Sequence, residues 1–267
     1  MLPGPIISIG DISIHMYGLM IGLGVMGTFI VLFTYGKKCG LGEKFLDFTF
    51  YNGIATVAFG FFSAMFFQAI YNYIDNPAAG FDLWNGGMTF IGGLIGGVAF
   101  FVAVYWLYRL YFHKKGTKPW GYVVDLLPIA PCCIVIAHAF GRVGCFFAGC
   151  CYGKETDGPL GVLFPGHTHP VHATQLYEAI FLFILFGVLS LLLLKWHFRH
   201  TMSVYLVCYG IFRFFLEYVR GDYRGELVSG ITPSQFWSLC MVAGAVILYF
   251  ALEYIYKLRD KKEVSRT

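Results

Sequence analysis

Residues 83–108 read LWNGGMTFIGGLIGGVAFFVAVYWLY, 26 consecutive positions without an Asp, Glu, Lys or Arg. A helix rises about 1.5 Å per residue, so about 20 such residues already cross the ~30 Å hydrocarbon layer of a bilayer. The core of a water-soluble domain does not require so long an uncharged run. Working outward, the same reading applies to Met16–Gly36, Phe48–Ile74 and Thr232–Leu252. Leu126–Gly141 is short unless it starts near Trp120 and draws Asp125 into the span, and Ala179–Leu194 is short unless it starts near Gln175. Thr201–Val219 is apolar apart from Arg213 and Glu217. These stretches predict an all-α, polytopic integral membrane protein with about seven transmembrane helices. Composition agrees: of 267 residues, 58% are hydrophobic and 13% charged, against about 25% charged in a soluble domain.

Cytoplasmic loops retain Lys and Arg during insertion. Segments 36–47, 109–119, 195–200 and 257–267 hold three, four, two and five of the 19 Lys and Arg residues. The alternate segments 1–15, 75–82, 141–175 and 220–231 hold none, none, two and two. This asymmetry predicts an outside N-terminus and a cytoplasmic C-terminus. The chain reads as a single transmembrane domain over 1–267, with the longest loop, 141–175, lying along the outer surface and carrying part of the site. No Lys or Arg precedes Met16, so the charged n-region of a cleavable signal peptide is missing and the first helix is expected to stay. The net charge of +4 follows from the inner loops and the basic tail Lys257–Arg266. Its expected partner is the anionic surface of the lipid bilayer, with no nucleic acid implied.

Gly92 and Gly96, Gly93 and Gly97, and Gly18 and Gly22 form small-x-x-x-small pairs. In lipid such spacing most often marks helices whose backbones approach closely. A glycine-lined groove for a lipid chain would leave the same letters.

Ionisable groups inside a membrane cost about 2.5–3.5 kcal/mol each on insertion scales, which makes them candidates for function. On one helix, Tyr209, Arg213, Glu217 and Arg220 would fall within about 80° of arc. Arg213 and Glu217, four apart, could simply neutralise each other and lock the bundle. One carboxylate compensates only one of the two guanidinium groups, however, and a net positive stripe beside a phenol suits an anion. A second cluster follows the fourth span, where glycines 141, 144, 149 and 153 permit tight turns that present Arg142 to a phosphate. His138, one helical turn earlier, reads best as a hydrogen-bonded bundle histidine.

Eight cysteines make an even count but not a disulfide framework in a membrane chain of this length. Most read as small apolar fillers. Cys145, Cys150 and Cys151 differ by lying at the outer face, where, with His138 or with His167, His169 and His172, a metal or redox site is conceivable. The paired C-x-x-C arms of a structural zinc site are missing.

Four stretches carry a family resemblance. Gly86–Gly97, Gly141–Gly153, His172-Ala-Thr-Gln-Leu-Tyr-Glu178 and Tyr209–Arg220 resemble, in order, the motifs of the prolipoprotein diacylglyceryl transferase family. The likeness runs from Tyr17-Gly-Leu-Met20 to about the last helix. It implies a multi-pass enzyme of the bacterial cytoplasmic (inner) membrane that moves the diacylglyceryl group of phosphatidylglycerol onto the lipobox cysteine thiol of a prolipoprotein signal peptide, releasing glycerol phosphate. It further implies that Arg142, Arg213 and Arg220 hold the phosphate, that Glu217 orients Arg213, and that Tyr209 hydrogen-bonds the headgroup or reacting oxygen. Asp125, Gly153, Gln175, Tyr177 and Glu178 would support this shell and Tyr17 would line the lipid groove; no metal or other cofactor is implied. The sequence departs from the family's pattern at Ile91, where a histidine or aromatic is usual, and at Cys145 and Cys150, which replace an asparagine and a glutamate. Those departures define a cysteine-rich variant and keep two other readings open, a related lipid-modifying enzyme with another acceptor and a membrane thiol-redox or metal-handling protein.

Overall fold

A computed structural model describes residues 4–9, 12–84, 86–119, 121–221 and 230–264. Trp120, the stretch 222–229 and the end of the basic tail, 265–267, lie outside the described residues. Among the described residues eight α-helices follow in chain order: α1 Met16–Lys38, α2 Glu43–Asp75, α3 Phe90–Lys115, the short α4 Val123–Leu126, α5 Ala130–Ala148, α6 Thr174–Leu194, α7 Thr201–Leu216 and α8 Pro233–Val264. Among the described residues, seven of these are long and apolar enough to cross a membrane. Within the most apolar window of each span only 17–33% of residues are buried. Side chains such as Phe90, Trp106 and Ile247 are left exposed. A water-soluble protein does not present apolar surface on that scale, whereas lipid solvates it.

Among the described residues two short antiparallel strand pairs accompany the helices, which the all-α reading did not include. β1, Pro5–Ile9, pairs antiparallel with β2, Ile12–His15, ahead of α1. β3, Gly161–Val162, pairs with β4, Val171–His172. The β3–β4 hairpin belongs to an ordered loop with its own small apolar core, in which Phe164, Val171 and Ala173 pack against Phe146, Tyr152, Val162 and Leu176. The segment expected merely to lie on the surface is therefore folded.

The chain divides into two compact units, one made of 1–39 and 126–267 and the other of 40–125. In the first, α5 lies between α1 and α6, and α7 contacts α5, α6 and α8. A Cβ on Gly24 would stand 3.0 Å from the Ala137 carbonyl oxygen, so glycine sets the α1–α5 approach. Thr28 adds a hydrogen bond from Oγ1 to the Cys133 carbonyl, 3.0 Å. Gly18 and Gly22 meet nothing within 4 Å, and so the spacing on α1 does not mark the seam expected there.

The second unit is an α2–α3 hairpin whose seam is the glycine run of α3. Cβ atoms on Gly93 and Gly96 would press on Ala64 and Ser63 respectively. Ser63 Oγ donates to the Gly92 carbonyl at 2.8 Å across the same seam.

Two expectations about the fourth span are corrected. It begins at Ala130, after α4, so Asp125 is not part of it. It also continues through Gly141 and Gly144 to Ala148 instead of turning at Gly141. Gly144 is helical and Tyr17 of α1 packs closely against it, with a Cβ there meeting Tyr17 Cδ2 at 3.2 Å. The first real turn is at Gly149, whose φ of +69° is left-handed and ends the helix.

Candidate functional site

The continuation of α5 decides the local chemistry, because His138 and Arg142 then stand one turn apart on the same face. Both point at Glu178, in the first turns of α6, which is 1% exposed. Arg142 Nε forms an ion pair with Glu178 Oε2 at 3.0 Å. His138 Nε2 lies 3.3 Å from Oε1, and the Tyr209 hydroxyl of α7 donates to that same oxygen at 2.8 Å. The His138 and Tyr209 rings meet edge to face at 5.3 Å. A carboxylate so deeply buried is tolerable only because a cation and two further polar groups surround it. Glu178 thus ties three helices together at one point.

The second charged group lies further along α7. Arg213 Nη1 pairs with Glu217 Oε2 at 2.8 Å. Arg213 Nη2 donates to Ser234 Oγ of α8 at 3.0 Å. The other Glu217 oxygen accepts the Thr232 hydroxyl at 3.1 Å. Thr232 and Gln235 exchange backbone-to-side-chain hydrogen bonds of 3.1 and 3.3 Å at the start of α8, a reciprocal cap. The expected single stripe therefore divides, with Tyr209 turned to α6 and Arg213 and Glu217 turned to α8. Arg220 is not on the helix at all. After Leu216 the chain tightens into a 3₁₀ turn over Glu217–Val219, and Arg220 is extended and buried.

Arg220 is placed by its backbone, which bridges to Gly153. Lys154 N–H donates to the Val219 carbonyl at 2.9 Å, and Gly153 N–H to that of His172 at 2.8 Å. A Cβ at position 153 would sit 2.5 Å from the Val219 oxygen and 2.8 Å from Thr174 Cγ2, so only glycine fits where the loop meets α7 and α6. Gln175 Nε2 donates to the Cys150 carbonyl, and Thr174 Oγ1 to that of Cys151 at 2.7 Å. Tyr177 holds the same loop from its hydroxyl, 3.2 Å from His172 Nδ1 and 3.4 Å from the Leu160 carbonyl to which it donates. Gly149–Glu155, with His167, Val171 and Gly221, line a cavity of about 840 Å³.

The sulfur atoms of Cys145, Cys150 and Cys151 lie within 4.8 Å of one another beside this cavity. Hydrogen bonding with Cys145 and Cys150, and then the positive Arg142 and Arg220, pushes the Cys151 thiol well below its ordinary range. Hydrogen bonding with Cys145 and Cys151 pushes Cys150 the other way.

The first unit thus brings together Arg142, Gly153, Gln175, Tyr177, Glu178, Tyr209, Arg213, Glu217 and Arg220. Tyr17 is on α1 of the same unit, 43% exposed against Gly144. Asp125 belongs to the other unit, where its carboxylate accepts the Tyr122 N–H at 3.1 Å. His138 is the hydrogen-bonded bundle histidine its sequence suggested. Sequence reasoning missed Thr174, Thr232 and Ser234. The Thr-Pro-Ser-Gln run at 232–235 could have pointed to the last two, because a hydroxyl three residues ahead of Gln is a helix-start signature. Arg142, Arg213 and Arg220 bring three guanidinium groups to this unit, planar donors suited to a phosphate.

The model of a family described as prolipoprotein diacylglyceryl transferase matches residues 5–251. A phosphatidylglycerol–prolipoprotein diacylglyceryl transferase of Clostridium tetani is 36% identical over 253 residues, covering 89% of this chain and 93% of the relative. A protein of Clostridium perfringens named as the second such transferase is 32% identical, with 95% of each chain covered. One from Coxiella burnetii is also 32% identical, again over 95% of both.

Proposed function

Since the chain belongs to the prolipoprotein diacylglyceryl transferase family, we propose that it moves the diacylglyceryl group of phosphatidylglycerol onto the lipobox cysteine thiol of a prolipoprotein signal peptide in the bacterial cytoplasmic membrane. The enzyme is a membrane transferase of lipoprotein biosynthesis. In the reaction the peptide sulfur attacks the glycerol carbon that carries the phosphate, and a C–S thioether bond forms as the C–O bond breaks. The electron pair of the broken bond stays on the phosphate oxygen, which leaves as glycerol phosphate and takes up the thiol proton. Charge therefore grows on the phosphate in the transition state, and preorganised cations aimed at it accelerate the step.

One observation carries this reading: Arg142 and Arg213 are each braced by a carboxylate at fixed geometry, and Arg220 is buried in the same unit, where its backbone bridges to Gly153 of the cavity wall. Arg142, Arg213 and Arg220 hold the phosphodiester, with Glu178 and Glu217 orienting the first two. The Tyr209 proton is committed to Glu178, so its oxygen serves a headgroup hydroxyl as acceptor. Gly153, Gln175 and Tyr177 fix the loop that brings Arg220 into place, and the exposed ring of Tyr17 lines the lipid groove. The excess of Lys and Arg in alternate loops supports placing this end of the bundle outside.

The test is purified protein in detergent with headgroup-labelled phosphatidylglycerol and a lipobox peptide. Thioether-lipidated peptide and labelled glycerol phosphate should appear in equal amounts, and Arg142→Ala or Arg213→Ala should remove most of both. Near-normal turnover in either variant defeats the site. Glycerol phosphate without thioether would instead point to another acceptor, the reading that Ile91, Cys145 and Cys150 favour.

A further inference from the structure

The proposed transfer step uses none of the three clustered thiols, and their arrangement is costly to maintain. Cys151 has φ +63°, a left-handed backbone that a side chain rarely adopts. That conformation reverses the chain directly after Gly149 and brings Cys151 back toward Cys145 in the last turn of α5. Two side chains of α6 then pin the reversal, Gln175 on the carbonyl of Cys150 and Thr174 on that of Cys151. A single disulfide would use two sulfurs and leave the third idle, whereas here all three converge.

We propose that Cys145, Cys150 and Cys151 form a three-thiolate site for one thiophilic closed-shell cation of the zinc class. Sulfur atoms bound to zinc at about 2.3 Å are about 3.8 Å apart in tetrahedral geometry. The observed separations, all within 4.8 Å, close to that value by side-chain rotation. Binding forms three metal–sulfur bonds to three thiolates and releases the proton of each ligand that was still a thiol. The resulting site carries one net negative charge and lies one helical turn from Arg142 of α5. Gln175 and Thr174 act as the outer groups that hold ligand-bearing backbone in position. Cys150 is exposed and lines the 840 Å³ cavity together with His167, which gives the ion an entry path and leaves its fourth position to water or a further ligand. The transferase reading is not needed for this site, and its test does not use activity.

The experiment is a titration of the full chain, reduced and metal-stripped in detergent, with Cd²⁺ followed by thiolate-to-metal charge-transfer absorption, and then with Zn²⁺ in competition. One equivalent should bind, and X-ray absorption at the zinc edge should count three sulfur neighbours. Cys145→Ser, Cys150→Ser and Cys151→Ser should each weaken binding at least tenfold, while Cys240→Ser leaves it unchanged. Serine suits the same backbone and Cys150 is exposed, so at least the Cys150 variant folds and keeps the test decisive. Fewer than three sulfur neighbours, equal affinity in the Cys150 variant, or a disulfide within 145–151 that forms in preference to metal binding overturns the proposal.

Discussion

Glu178 holds Arg142, His138 and Tyr209 at once, and its removal should cost more than the loss of any single contact. Replacing one member of a buried ion pair leaves the other charge unpaired, at a cost of about 3–5 kcal/mol. Glu178→Gln should therefore lower the unfolding midpoint in detergent by roughly 6–20 °C, at about 2–4 °C per kcal/mol for a chain of this size. Glu178→Gln combined with Arg142→Gln should lose less than the two single changes added together, because the stranded charge is gone. An additive result would mean that the pair is not coupled. Tyr209→Phe, which removes one hydrogen bond, should cost only about 1–2 kcal/mol by the same measurement. The arginines and Glu217 were legible because charge in a membrane is expensive wherever it occurs. Glu178 was placed only by family likeness, since it lies at a helix start where a carboxylate is unremarkable. Its role depends on α5 and α7 converging on it, which no linear spacing records.

At the scale of elements, identical glycine spacings behave differently. A side chain at Gly96 would run into Ser63, whereas Gly18 and Gly22 face open space. Gly96→Ala should therefore destabilise the α2–α3 hairpin by about 1–3 kcal/mol through overpacking. Gly18→Ala should be neutral or stabilise by about 0.5–1 kcal/mol, as alanine is the better helix former. Comparing the two variants by urea denaturation in mixed micelles checks the pair, and equal losses would remove the distinction. A sequence shows that glycine recurs every fourth residue but not whether another helix lies opposite. The end of α5 illustrates the same limit. Gly141 and Gly144 carry the letters of a turn, but the helix runs on to Gly149, because an unbroken helix satisfies its own backbone hydrogen bonds in lipid.

At the scale of the whole molecule, the seven spans were legible from hydropathy because each must be long and apolar irrespective of its neighbours. The division into two compact units was not legible, since contacts between distant helices leave no local signature. The proposed orientation rests on loop charge, and two native cysteines make it measurable. Tyr17, at the start of α1, packs on Gly144 near the end of α5, so these helices run antiparallel. Cys39, just past the other end of α1, is thus separated from Cys150 by the length of a span, roughly 35 Å at 1.5 Å per residue. Both thiols are exposed. In spheroplasts, a chain keeping only Cys150 should react with a membrane-impermeant maleimide directly, whereas one keeping only Cys39 should react only after permeabilisation. The reverse pattern would place the arginine cluster on the cytoplasmic side. Glycerol phosphate would then be released into the cytoplasm, and the rule that positive loops stay inside would have failed for a chain with 14 of its 19 Lys and Arg on alternate loops.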